Sequence, residues 1–203
     1  MSTPSPKICF VAIGLLIHEG KALLVKHRRA QIWLSPGGHI EPDELPHLAA
    51  EREFWEETGI RVKAVQLFPK PPKITNSDTE FIPSPFLTNM HWVSRKNFAA
   101  RTQNNETQRD SIWHRGCEQH LGFLYLVEPL AGVEYTENTK ECDGIAWYNR
   151  EEIAQLETYE DIRAEILTAF EIVEIAKREN HAKQNTQRTH TQKSPSRGHR
   201  PPN

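Results

Sequence analysis

The sequence predicts a single α/β domain, with strands paired into a sheet and helices packed against it, followed by a basic tail. Three observations carry this reading. Two apolar runs, ICFVAIGLLI and KALLVKH, flank a turn signal at Glu19-Gly20, the pattern of a β-hairpin. The stretch PHLAAEREFWEETG places Pro46 and Gly59 where a helix starts and stops. The stretch REEIAQLETYEDIRAEILTAFEIVEIAKRE then closes the domain as helix, with a break expected near Thr158. At 203 residues the chain suffices for one well-buried domain and is short for two.

Between these landmarks the elements follow in order. RRAQIWLSPGGHIEPDE, punctuated by Pro and Gly, reads as a loop after the hairpin. On the helix that follows, Leu48 and Trp55 lie on one flank and Ala50 and Phe54 on another, so partial burial is expected. Its cap position falls on Leu45, a poor capping residue. RVKAVQLF is a strand candidate, and strand signals return at HLGFLYLVEP and GIAWYN. Residues 69–117 hold prolines, the polar run RTQNNETQRD and the aromatics Phe86, Trp92 and Trp113. A segment of this length without structure of its own points to recognition, and a lid over the substrate is expected around Phe81 to Trp92 and Trp113. The domain is placed at residues 7–176 and a disordered tail at 177–203.

Composition narrows the classes of function. Hydrophobic residues make up 37% of the chain, and the shortfall lies at the C-terminus. From Lys177 to Asn203 there are seven Lys or Arg, one acid and no large apolar residue, so the tail is basic and the remainder acidic within a net charge of −2. Such a segment cannot bury enough surface to offset its ordering entropy. Its charges are scattered without interleaved aromatics, which argues against nucleic acid as the main partner. Cys9, Cys117 and Cys142 form no CxxC pair and suit a reducing, cytoplasmic setting. The run after Lys7 lacks a signal-peptide cleavage pattern and is too short to span a bilayer, so no membrane association is expected.

The chemistry concentrates on the first helix. Glu53, Glu56 and Glu57 recur at spacings that put them on one face. Taken alone they describe either a solvated acidic face or a site for a hard divalent ion. The residues upstream decide: from Gly38 the chain reads glycine, five residues, Glu44, seven residues, then Arg52-Glu53-Phe54-Trp55-Glu56-Glu57-Thr58-Gly59-Ile60. This matches every fixed position of the Nudix box, and the stretch resembles the Nudix hydrolases from about residue 7 to 176.

That resemblance implies a mixed β-sheet sandwiched between helices in α/β/α layers, and hydrolysis of a phosphoanhydride in a nucleoside diphosphate linked to another group. A nucleoside triphosphate, modified or not, is the expected substrate. It implies further that Glu53, Glu56 and Glu57, with the carbonyl of Gly37, hold Mg²⁺ or Mn²⁺, that Arg52 orients Glu53, and that Glu44 supports the loop–helix junction or binds metal through water. Hard cations with oxygen ligands neutralise a polyphosphate and acidify the attacking water. Lys26, Arg28 and Arg29 are placed to steer phosphates, and Gly38, Trp92 and Trp113 are further substrate-binding candidates. Glu118 and Glu141 are candidates for a distal acid. His114, Cys117 and His120 form H-x2-C-x2-H, but no fourth ligand stands at the usual spacing, which argues against zinc.

Ser35 stands where a bulkier apolar residue often precedes Pro-Gly-Gly. The downstream proline of ADP-ribose members and the tyrosine of dinucleoside polyphosphate members are missing at their spacings. The leaving group and base therefore stay open. A nucleotide-binding regulator and an RNA-end-processing hydrolase are the alternative functions, and the intact box disfavours the former.

Overall fold

The computed structural model describes residues 4–69, 78–104, 110–113, 116–136 and 142–192, with side chains to residue 182. The elements are β1 (Ile8–His18), β2 (Lys21–His27), β3 (Trp33–Leu34), β4 (Gly37–His39), α1 (Pro46–Thr58), β5 (Val62–Val65), β6 (Leu87–Trp92), α2 (Arg95–Thr102), β7 (Gln119–Pro129), β8 (Cys142–Asn149), α3 (Arg150–Ala154) and α4 (Glu160–Gln192).

The sheet is organised on β1 and β7, which run parallel from Ile8↔Gln119 to Leu16↔Val127. The outer edge of β7 is shared: β6 covers Gln119–Leu124 and β5 covers Leu126–Pro129, both antiparallel. The other edge of β1 is shared too. β4 pairs with Val11–Ile13, and β2 pairs with Ile17–His18 before turning away to carry β3 and β8.

Alternation along β1 divides the core into two layers. Ala12 and Leu16 face α1 and pack with Ala49, Ala50 and Phe54. Leu15 faces the opposite way and packs with Leu124, Ile153, Ile166 and Phe170 of β7, α3 and α4. The sheet thus lies between α1 on one side and α3 and α4 on the other, the α/β/α layering expected.

Helix α1 spans Pro46–Thr58, with Pro at its start, no side-chain cap at Leu45, and Gly59 at φ 74° donating its N–H to the Trp55 carbonyl at 2.7 Å. Only one of its apolar flanks is buried: Ala50 and Phe54 are inaccessible, whereas Leu48 and Trp55 are 44% and 46% exposed. Trp55 is covered on its outer side by the Arg61 guanidinium, 5.6 Å from the ring.

Two expectations are corrected. The 69–117 segment does have structure of its own over its described length, because Leu87–Trp92 forms β6 and Arg95–Thr102 forms α2. The C-terminal helix also continues from Lys177 to Gln192, where disorder was expected from residue 177. Residues 177–192 contain neither Gly nor Pro, and loss of an apolar face removes docking, not backbone hydrogen bonds. Arg178 pairs with Glu174 one turn before it at 4.0 Å. Residues 193–203 lie outside the described residues. Among the described residues no helix is long and apolar enough to cross a membrane.

The one-sided burial of α1 gives a direct test. Phe54→Ala should lower unfolding free energy by about 3–5 kcal/mol, the usual cost of emptying an aromatic site in a core. Trp55→Ala should cost about 1 kcal/mol or less. Denaturant unfolding of the two variants checks the assignment, and equal losses would contradict it.

Candidate active site

The box residues meet where the N-terminal face of the sheet touches α1. Arg52 is the centre of the arrangement. Its Nε donates to Glu44 Oε1 at 2.8 Å and its Nη2 to Glu44 Oε2 at 2.9 Å. Nη1 donates to Glu53 Oε1 at 2.9 Å and to Glu56 Oε2 at 3.0 Å, while Nη2 also reaches the carbonyl of His39 at 3.0 Å. One guanidinium thereby ties the loop before α1, two carboxylates of α1 and the end of β4.

The hydrogen bonds from Arg52 hold the Glu44 carboxyl below the usual carboxylate range, against the opposing effect of burial. Reciprocally, Glu44 first and Glu53 second hold the Arg52 guanidinium protonated well above its ordinary range.

Strand β4 supplies the other wall. The Gly37 N–H donates to Glu57 Oε2 at 3.1 Å. At Gly38 a β-carbon would stand 2.5 Å from the Glu53 carboxyl carbon, so the absence of a side chain is what lets that carboxylate lie against the backbone. Carboxylates of α1 and main-chain groups of β4 form one oxygen-rich surface. In kind the carboxylate oxygens of Glu53, Glu56 and Glu57 fit a hard divalent ion. The carboxylates are spread on separate partners, Glu53 and Glu56 on Arg52 and Glu57 on the Gly37 N–H.

The remaining site candidates separate. Lys26 sits half-buried near the end of β2, opposite Trp33 of β3. Arg28 lies in the following turn and pairs with Asp143 at 3.2 Å. Trp113 is half-buried, its ring 5.4 Å from that of His27. His27 stands opposite Cys142 in the β2–β8 pairing, and the Cys142 thiol lies 4.0 Å from the carbonyl of Glu57. A path of contacts thus links Trp113 to Glu57 near the end of α1.

Trp92 lies elsewhere, at the end of β6. Arg95 covers its ring at 4.4 Å and Phe98 meets it edge-on at 5.5 Å. These contacts join Trp92 to α2. Glu118, the candidate distal acid, is held by the N-terminal segment and α2. It is buried, and Arg101 Nη2 and the Lys7 N–H each donate to its Oε2 at 2.8 Å, with Arg101 Nε on Oε1. Glu141 and His114 lie outside the described residues.

The sequence reading missed what holds Trp113. Ser94 caps α2 by accepting from the Asn97 N–H at 3.1 Å. The Asn97 amide donates to the carbonyls of Trp113 at 2.8 Å and Cys117 at 3.0 Å, and its oxygen accepts from the Asp110 N–H at 2.9 Å. Ser at a cap position three residues before Asn97 was the available signal.

Comparisons with known proteins agree with this geometry. The family model described as the NUDIX domain matches residues 9–170. A protein named Phosphatase NudJ from Escherichia coli is 36% identical over 123 residues, covering 59% of this chain and 76% of that protein. A MutT-like protein from Streptomyces ambofaciens is 40% identical over 65 residues, which span 31% of this chain and 42% of that protein. Among solved structures, a NUDIX-family hydrolase from Clostridium perfringens superposes with a TM-score of 0.60 at 24% identity, covering 81% of this chain and 97% of that one. A MutT protein from Methanosarcina mazei superposes at 0.53 with 16% identity, over 88% of this chain and 99% of that one. Both structures speak to the fold alone.

The Arg52–Glu44 contact has a pH signature. Because the folded carboxyl sits below its reference value of 4.5, its stabilising contribution is complete above that value and is lost as pH falls through the folded value. At neutral pH Glu44→Gln should be less stable than the parent chain by about 1–2 kcal/mol. The difference should shrink toward zero under acid conditions, as read by thermal melts across pH. A difference independent of pH would show that the ion pair is not its source.

Proposed function

The chain belongs to the Nudix hydrolase family, and from that premise we propose that it is a pyrophosphohydrolase cleaving a phosphoanhydride in a nucleoside diphosphate linked to another group. A nucleoside triphosphate, modified or not, is the substrate class, giving the monophosphate and pyrophosphate. The observation that carries this reading is the meeting of the α1 carboxylates with the β4 backbone around Arg52.

In this proposal Glu53, Glu56 and Glu57, with the Gly37 carbonyl, hold Mg²⁺ or Mn²⁺. When bound, the ion supplies charge neutralisation of the polyphosphate and a more acidic water. Arg52 keeps Glu53 in place and limits repulsion among the acids before the ion arrives. Gly38 leaves room for Glu53 and for a close approach of phosphate to the backbone. Lys26 and Arg28 stand at the open end of β2 and draw the phosphates in. Trp113 stacks on the base, because its contacts lead through His27 and Cys142 to Glu57.

Two measurements test the assignment. Glu57→Gln should retain the fold and melt at or above the parent temperature without metal, since a charge is removed from a repelling group. Its turnover should fall at least by the roughly 10- to 100-fold that disturbing an outer partner of a metal ligand costs. Near-full turnover at saturating Mg²⁺ would remove the metal role. A panel of nucleoside triphosphates, dinucleotides, nucleotide sugars and capped RNA, assayed for phosphate or pyrophosphate release, identifies the leaving group.

For the base, Trp113→Ala should raise KM on the preferred nucleotide by about 10- to 100-fold, as loss of a stacking aromatic does, with a smaller change in kcat. Trp92→Ala should leave KM unchanged. A reversed pattern would move the base to the β6 edge.

A further inference from the structure

We propose that Cys9, His39, Cys117 and His120 form a second metal site, taking a borderline-soft divalent ion such as Zn²⁺, on the face of the sheet opposite α1. Strand register assembles it. Cys9 of β1 stands opposite His120 of β7, and Val11 of β1 stands opposite His39 of β4. Cys9 and Val11 are two residues apart on one strand, so Cys9, His39 and His120 project from one face. Ala12 and Gly38, paired on the alternate positions, point to the α1 side.

The ligand atoms already meet. Cys9 Sγ, a ring nitrogen of His39 and Cys117 Sγ all lie within 4.8 Å of one another, and His39 Nε2 is 3.2 Å from Cys117 Sγ. Bonds of about 2.3 Å to sulfur and 2.0–2.1 Å to nitrogen put tetrahedral ligands about 3.5 Å apart, so only a small contraction is needed among these three, and the His120 nitrogen, which stands outside that group, has to move in to complete the set. None of the three cysteines is in a disulfide. His120 provides the independent observation: its Nε2 is buried with no hydrogen-bond partner, and its ring lies edge-on to His39 with centroids 5.2 Å apart. A buried ring nitrogen without a partner is a costly arrangement, and a metal bond relieves it.

The donor chemistry separates this site from the carboxylates. Two thiolates and two imidazoles select zinc-like ions, whereas the box offers hard oxygens to Mg²⁺ or Mn²⁺. Each cysteine enters as thiolate and releases its proton to solvent, so apparent affinity rises with pH. The local H-x2-C-x2-H spacing is therefore half of the signal, with the missing ligands on β1 and β4. A bound ion would clamp β1, β4 and the entry to β7 together.

The test uses the reduced full-length chain, stripped by chelator and titrated with Co²⁺ alone. The expected result is thiolate-to-cobalt charge-transfer absorption with the d–d bands of a tetrahedral site, saturating at a single equivalent and abolished by Zn²⁺. Cys9→Ser and Cys117→Ser should each lose at least about tenfold of that absorption, and Zn²⁺ should raise the melting temperature of the parent only. Glu57→Gln should keep the absorption, separating the site from the box. Cys9 is only partly buried, so Cys9→Ser, checked by circular dichroism, decides the matter where Cys117→Ser does not fold. Absence of charge-transfer absorption in the reduced parent, or its persistence in Cys9→Ser, overturns the proposal.

Discussion

The Arg52 guanidinium is the contact on which the rest of the site's geometry depends. Three glutamates on one helical face repel: two unit charges 5–6 Å apart cost about 3 kcal/mol at an effective dielectric of 20. A lysine could meet one of them as a point charge. The planar fork of arginine meets Glu44, Glu53 and Glu56 at once and still reaches the His39 carbonyl. That last hydrogen bond couples charge to architecture, since it ties α1 to the strand whose glycines line the site. Burial of Phe54 against β1 then sets the height of α1 over the sheet, and the glycine at 38 sets how near Glu53 comes to the backbone.

Sequence alone revealed the elements that carry their own punctuation. β1 and β2 are long apolar runs around Glu19-Gly20, and α1 lies between Pro46 and Gly59. The break between α3 and α4 falls at residues 155–159, beside the expected Thr158. The box was legible because its positions run through one unbroken stretch, from β4 through the loop to α1 and its Gly59 stop, with the acids at helical spacing on α1. β3 and β4 were hidden, being two and three residues long. Their conformation comes from pairing with β2 and β1, not from local propensity. β6 was hidden because LTNMHW carries polar Asn89 and His91 on its face, so apolar alternation fails. α2 is eight residues of mostly polar chain, marked only by Ser94.

The middle segment shows that a proline- and aromatic-rich stretch can carry structure of its own. Its described part is fixed by polar groups taken out of water: Asn97 is 3% exposed and Ser94 4%, and each is satisfied by neighbours in the same segment. Burial of an amide is tolerated only with such partners, so Asn97 specifies where Trp113 and Cys117 stand more tightly than an apolar residue could. Trp92 and Trp113, equivalent in sequence, part company here. One is closed over by Arg95 and Phe98, and the other is held against His27 at the mouth of β2.

β4 is three residues long and serves both faces of the sheet. Gly37 and Gly38 lie against the α1 carboxylates, while His39 sends its ring to Cys117 and its carbonyl to Arg52. Strand alternation sets Gly38 and His39 on opposite sides, and Gly37 reaches Glu57 through its backbone N–H. Anything that draws the His39 ring toward Cys9 and Cys117 pulls on the same backbone that accepts from Arg52. Even a shift of a few tenths of an ångström is felt at Gly38, where the gap to Glu53 already leaves no room for a methyl group. A soft-metal clamp on one face would therefore bear on the spacing of the α1 carboxylates on the other through a single peptide unit. The two donor sets are close together and differ in kind, thiols and imidazoles on one face and carboxylates on the other.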